Sequence, residues 1–457
     1  MRIFTLLLSL VLGHAAQAAE PDFVSFVERG ADGVAIVRVI TEANTCPAIA
    51  IDGHDIPMAI RAPAGSEPLR PTASTPAKSK PSVFPVTTCE ATLPSGAQSA
   101  SIQGRALPLP KPRTDRIVVI GDTGCRIKGK AVQPCNDVNK YPFAKIAALA
   151  AAWKPDLVLH VGDYQYRENE CPASEHGCSE SPWGYGWDTW NADFFAPAQP
   201  LLRAAPWVLV RGNHENCFRA GQGWMRFIDP NPWTPARDCN DPAHDLTGDD
   251  SPVFAVPLGD GAQIVAMDLA FADESKPIDA ADPHAAPIIA AYHRIDELSR
   301  NATFTFLATH KPILGLSASG KGGEVHLRPG NATIQAVFAT LNPNLLPAKV
   351  DTLLAGHYHI WQQVDFSTDH PSQFIAGFSG TQEDIVPLPE TLPPGTTPAP
   401  GAKPNHFSSW VDGFGFMTLE RRDATHWDVK VWNLAGQVVN TCEIAGRHSV
   451  CSVAQVH

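Results

Sequence analysis

Side chains with oxygen or nitrogen lone pairs stand at the ends of five short apolar runs. Asp122 follows Val-Val-Ile-Gly, Asp163 follows Leu-His-Val-Gly, and Asn213-His214-Glu215 follows Val-Leu-Val-Arg-Gly. His310 closes Phe-Leu-Ala-Thr-His, and His357 and His359 follow Leu-Leu-Ala-Gly. Carboxylates, amide oxygens and imidazoles are ligands for cations, and imidazole also moves protons near neutral pH. Each residue alone has an ordinary explanation. A Gly-Asp after a strand is commonly a turn or a helix N-cap, a lone His packs in a core or lies on the surface, and a Tyr three residues beyond an Asp packs. Their joint occurrence in this order calls for one explanation.

The runs that carry these residues must place them together. Residues 116–121, 156–162, 207–212, 263–270, 304–310 and 351–357 are almost continuously apolar, the texture of strands buried on both faces. Helical stretches over Pro142–Trp153 and Pro287–Arg300 lie between some of them. Strands alternating with helices predict an α/β domain whose function gathers at the strand ends. Earlier in the chain, residues 20–112 show shorter alternations such as Val34–Ile40, broken by the Pro/Ser/Lys-rich stretch Pro71–Pro81. They predict a small N-terminal β-sandwich domain, with Pro108–Pro112 as a linker to a second domain over 113–457. The strands expected over 413–457 return to complete that second domain, and Thr391–Pro404 reads as a surface loop.

The set Gly121-Asp122-Thr123-Gly124, Gly162-Asp163-x-x-Tyr166, Gly212-Asn213-His214-Glu215, Thr309-His310 and Gly356-His357-x-His359 resembles the calcineurin-like metallophosphoesterases. The resemblance covers roughly Arg116 to Trp361. Within that superfamily the chain resembles the purple acid phosphatases. Gly124 stands where the wider superfamily usually has a His, and Tyr166, three residues after Asp163, stands where the purple branch has its tyrosine ligand. The resemblance implies a four-layer α/β/β/α sandwich. It implies one metal on Asp122, Asp163, Tyr166 and His359, and a second on Asp163, Asn213, His310 and His357, with Asp163 bridging.

The donor chemistry agrees with that division. The first set has three anionic oxygen donors and one imidazole, which suits Fe(III); the second suits a divalent Zn, Fe or Mn. A phenol ionises near 10, so only a strong local cation makes Tyr166 a phenolate at lower pH. The resemblance further implies hydroxide attack on phosphomonoesters, with His214 stabilising or protonating the leaving oxygen and Glu215 orienting His214 or its loop. Hydrolysis of phosphodiesters or phospholipid headgroups at the same metals is the alternative. A binding module on a dead scaffold is disfavoured because every ligand position is filled. Arg126, Arg167 and Arg219 lie close to ligand motifs and could contact phosphate or form surface salt bridges. The stretch Trp183–Trp187, with Trp190 and Trp224, could wall the pocket or pack in the core. The Gly-rich loop Ser319–Gly323 is a candidate for the pocket rim, and Asp268 reads as structural.

Composition narrows the setting. The 457 residues are 44% hydrophobic and 18% charged, enough apolar material for a large core and a smaller domain. A formal net charge of −12 repels polyanions, so nucleic acid is not an expected partner, whereas a small phosphate ester can bind where the site supplies cations. Arg2, the apolar run Ile3–Leu12 and the small residues to Ala19 predict a signal peptide over 1–19 and a secreted or periplasmic protein. No later run is long and apolar enough to span a membrane. In an oxidising compartment the ten cysteines are expected as sequence-near disulfides, 46–89, 125–135, 171–178, 217–239 and 442–451. Asn301 and Asn331 begin Asn-x-Thr sequons, which matter only where glycosylation occurs. Oligomeric state is left open.

Overall fold

The computed structural model describes residues 23–456 except 235, 236, 273, 275, 280, 322, 323 and 384. The predicted signal segment 1–19 lies outside the described residues.

Two large sheets pack face to face. At the centre of the first, an eleven-stranded sheet, Arg116–Ile120, Leu157–His160 and Trp207–Leu209 run parallel. The second has seven strands, among which Ala262–Met267, Phe304–Thr309, Thr352–Ala355 and Ser372–Ala376 run parallel. The period-two geometry of a strand explains why the runs are apolar throughout. Ile117, Val119, Leu159 and Val208 point between the sheets, where they meet Ile264, Phe304, Phe306 and Leu354. Val118, Ile120, Val158 and Leu209 point outward against the helices Phe143–Ala152 and Ala196–Leu202. On the far side, Val265, Met267, Leu307 and Leu353 pack on the helices Ala285–Ser299 and Ala332–Leu341. The layers are therefore α/β/β/α. Gly415–Arg421 pairs antiparallel with Arg116–Ile120, and the strands to Cys451 extend that edge. The span Thr391–Pro404 is more buried than a surface loop: Ala399 and Ala402 pack in the outer core, and Pro398 O accepts from Gln335 Nε2 at 2.8 Å.

The N-terminal region is β-rich. Phe23–Arg29, Ala35–Thr41, Thr87–Leu93 and Ala59–Ala62 face a small sheet that includes Ala48–Ile51 and Ala100–Ile102, enclosing Val27, Val37, Val39, Ile49 and Ile102. Its larger sheet is continuous with the central one, because Phe23–Arg29 pairs in parallel with Trp207–Leu209 at Glu28 and Trp207. Buried charges reinforce the junction. Arg38 pairs with Glu28 and donates to Asp229 O at 2.7 Å, and Arg61 donates to Met225 O at 2.7 Å. The residues that follow the Asn213 loop are thus braced from the N-terminal side.

All five expected disulfides are present. Among the described residues no helix is long and apolar enough to cross a membrane. Asn331 is buried and caps the helix Ala332–Leu341 by accepting from Ile334 N at 2.9 Å, so its sequon is sterically closed; Asn301 is exposed.

Candidate metal centre

The parallel strands of both sheets end at one place. Asp122, Asp163 and Asn213 follow strands of the first sheet, and His310 and His357 follow strands of the second. The chain turns sharply there: Asp122, Asp163 and His357 have φ of 54°, 59° and 72°. Left-handed backbone is uncommon for residues with a side chain and concentrates at functional sites. Glycine permits the close approach. A Cβ on Gly212 would lie 2.1 Å from Asp163 Oδ1, and one on Gly162 (φ 100°) would lie 2.5 Å from the His310 ring.

Two groups of donor atoms form, sharing one oxygen. The Tyr166 hydroxyl lies 2.6 Å from Asp163 Oδ2 and 2.9 Å from both Asp122 Oδ1 and His359 Nε2. On the other side of Asp163, His310 Nε2 lies 3.1 Å from Asp163 Oδ2, 3.1 Å from Asn213 Oδ1 and 3.2 Å from His357 Nδ1. Backbone amides aim the carboxylates. The His357 N–H holds Asp122 Oδ2 at 2.8 Å, and the His214 N–H holds Asp163 Oδ1 at 2.9 Å, leaving the other oxygens facing the groups.

The imidazoles are aimed in the same sense. His310 Nδ1 donates to Val161 O at 2.8 Å and His359 Nδ1 to Gln382 O at 2.9 Å, so Nε2 of each ring is the atom turned toward the carboxylates. Burial opposes charge on His310, but Asp163 raises the ring's pKa to about 9, and a bound cation would displace that proton. His357 is turned over: its Nε2 meets Glu274 Oε1 at 2.5 Å, which leaves Nδ1 facing inward. Carboxylate, amide, phenol and imidazole lone pairs thus converge in a buried volume with few protons to share. That arrangement is costly unless cations occupy it, and the donor set fits two of them. Burial and the Asp122 and Asp163 carboxylates push the Tyr166 phenol well above its ordinary range, so it ionises only with a cation against its oxygen. Tyr164 takes no part: its hydroxyl donates to Val210 O and its ring stacks on His160 at 3.9 Å.

A cavity of about 630 Å³ opens onto Asp163, Tyr166, Asn213, His357 and His359. His214 lies at its wall, with its ring 3.8 Å from that of Tyr166 and its Nδ1 2.9 Å from Glu168 Oε1, an approach too oblique for a well-formed hydrogen bond. Burial opposes ionisation of Glu168, but the Arg219 guanidinium, with Lys128, holds its carboxyl well below the usual range. Glu215 clamps the loop instead, accepting from Tyr164 N at 2.9 Å and from Gly212 N at 3.2 Å. Arg126 and Arg219 line the cavity, whereas Arg167 turns away to pair with buried Asp193 at 2.6 Å. The aromatic stretch does not wall the cavity. Trp187, Trp190 and Trp224 pack in the core behind the first sheet, and Trp183 stacks under Lys80. Ser317–Lys321 and Glu324–Arg328 form a hairpin whose Ser317–Gly320 edge lies on the rim. Asp268 faces Arg211 and accepts from Ala270 N, a structural position. Lys128, Glu274, Arg328 and Glu383 also line the cavity; no motif spacing marks them in the sequence.

A four-layer sandwich whose central strands end in two lone-pair groups with a shared carboxylate defines a class, the binuclear metallohydrolases. The chain belongs to the calcineurin-like phosphoesterase family, whose pattern matches residues 115–361, more than half of the sequence. It is a metal-dependent phosphoester hydrolase of a family that uses a dinuclear metal site. Among solved structures, the chain is similar to a purple acid phosphatase from yellow lupin (Lupinus luteus) seeds, with 15% identity and a TM-score of 0.52 over 95% of this chain and 74% of that one. It is also similar to PhoD, with 10% identity and a TM-score of 0.49 over 94% and 91% of the two chains. No curated protein matches the sequence.

Proposed function

We propose that the protein is an exported acid phosphatase that hydrolyses phosphomonoesters. Fe(III) is assigned to Asp122, Asp163, Tyr166 and His359, and a divalent Zn, Fe or Mn to Asp163, Asn213, His310 and His357. The observation that carries this reading is the sharing of Asp163 Oδ2 between two lone-pair groups, only one of which contains a phenol oxygen. Two cations held there supply charge neutralisation at the phosphoryl oxygens and acidify water. Pairing of all ten cysteines supports an oxidising compartment.

The remaining chemistry belongs to the chain. Burial and the Arg219 guanidinium push His214 down to about 3, so the ring is neutral at rest. With Nδ1 against Glu168, Nε2 is free to accept a proton from the P–OH of an ester monoanion and return it to the departing alkoxide. Glu168 is the positioning residue for that transfer. Glu168→Gln is expected to lower kcat about 10–100-fold with little change in KM. The loss is larger on an alkyl phosphate than on nitrophenyl phosphate; an equal loss on both marks a merely structural role.

A visible spectrum tests the metal assignment. Protein purified with its native metals is expected to show a tyrosinate-to-Fe(III) charge-transfer band that disappears in Tyr166→Phe. A colourless protein with full iron occupancy and high activity refutes the iron–tyrosine assignment. Rates on an aryl phosphate and a bis-aryl phosphate test the substrate class, and dominant diesterase activity overturns the monoester reading.

A further inference from the structure

The cavity is larger than its metal-ligand floor requires. At about 630 Å³ it lies within the range of small-molecule sites, so it has room for a substrate beyond the phosphoryl group. One wall is built by a short hairpin. Directly after the Asp122 turn, Ile127–Lys128 pairs with Ala131–Val132 in a tight hairpin closed at its base by Cys125–Cys135. The hairpin is fixed from outside as well. Gly129 N donates to Asn169 Oδ1 at 2.9 Å, Cys125 N donates to Asp193 Oδ1 at 3.1 Å, and Gln133 Nε2 donates to Gly380 O at 2.8 Å. It presents Arg126 and Lys128 to the cavity.

The charge on that wall is unbalanced. Arg126, Lys128 and Arg219 stand against a single carboxylate, Glu168, which lies 3.4 Å from Lys128 Nζ and 3.8 Å from Arg219 Nε. Among the described residues Arg126 makes no ion pair. Its Nε and the Nη1 of Arg219 are buried donors without a hydrogen-bond partner. Buried guanidinium N–H groups are rarely left unpaired, because each unsatisfied donor forfeits its hydration. Of the other carboxylates lining the cavity, Asp163 is engaged within the ligand groups and Glu274 by His357 and Lys311, and Glu383 makes no ion pair with these three cations among the described residues. What the wall lacks is an anion. Guanidinium and ammonium donors facing one pocket suit phosphate oxygens.

We propose that Arg126 and Lys128, carried on the disulfide-closed hairpin, form with Arg219 a second anion subsite beside the metal-ligand groups, so that the preferred substrates are phosphate esters bearing a second phosphate group. The inference deepens the phosphomonoesterase reading and rests on it for turnover, though not for binding.

Calorimetry on the native-metal protein separates the two. Propylphosphonate and 1,3-propanediylbisphosphonate are matched ligands that cannot be hydrolysed. The bisphosphonate is expected to bind at least about tenfold more tightly, the scale of one or two hydrogen bonds to charged groups. In Arg126→Met/Lys128→Met the ratio is expected to fall to near one, with propylphosphonate affinity in the same sample as the internal reference for an intact site. Arg126→Lys, which keeps the charge but not the fork, is expected to retain part of the preference. The kcat/KM ratio for 1,3-propanediol bisphosphate over propyl phosphate follows the same order. Equal affinity for the two phosphonates in the wild type, or a preference that survives in the double Met variant, overturns the subsite. A binding preference that holds while neither ester is hydrolysed upholds the subsite and overturns the phosphomonoesterase reading alone.

Discussion

Asp163→Asn is expected to lower kcat/KM on phosphomonoesters by at least about 10³-fold, because a two-cation site supplies several kcal/mol of transition-state stabilisation. It is also expected to leave the purified protein with fewer bound metal ions per chain. Asp163 Oδ2 is the atom common to both donor groups, 2.6 Å from the Tyr166 oxygen and 3.1 Å from His310 Nε2. Its other oxygen is held by the His214 N–H at 2.9 Å. An amide cannot serve both contacts. With its oxygen toward the donor groups, its NH2 opposes the His214 N–H; with the orientation reversed, a donor enters a space that needs lone pairs. The side chain is 1% exposed, so water cannot relieve either clash. Metal analysis by mass spectrometry alongside steady-state rates checks the prediction. Full metal content with undiminished activity refutes the bridging assignment.

His214→Gln is expected to lower kcat by about 10²–10⁴-fold on an alkyl phosphate, the usual contribution of a positioned proton-transfer group. On nitrophenyl phosphate, whose leaving group departs as a stable anion, the loss is expected to be much smaller. The His214 ring packs 3.8 Å from that of Tyr166 and its Nδ1 faces Glu168, so the rest of the ring is turned toward the cavity. Its Nε2 lies 3.9 Å from Asp163 Oδ2, beyond hydrogen-bond reach, and it is not one of the seven donors, so metal content and the visible band are expected to persist. Equal losses on both esters contradict proton transfer by His214. Loss of the visible band assigns it instead to holding Tyr166.

The candidate ligands were legible because their constraints are local. Each stands where a buried strand ends, and a strand that is apolar on both faces announces itself as a continuous run, as residues 116–121 and 351–357 do. The disulfides were legible for a similar reason: each joins cysteines adjacent among the ten in sequence. The cavity wall was not. Glu274 reaches His357 from a distant segment, and Lys128 meets Glu168 only because the 125–135 hairpin folds back beside Arg167. Nearness in sequence left Arg167 open between phosphate and a salt bridge, and the fold draws its guanidinium to Asp193, a buried partner rather than a surface one. The Trp-rich stretch was legible as aromatic but not as core, since only packing assigns a large ring to one side of a sheet.

By itself, then, the order of residues determined the layered α/β class and the seven donors that stand together, because strand periodicity and the turns after strands are written within a few residues. The tertiary structure alone decided which ring nitrogen each histidine presents, how the N-terminal sandwich joins the central sheet, and which cations face the substrate cavity. Those outcomes depend on contacts between segments far apart in the chain, where burial and charge balance, rather than spacing, select the partner.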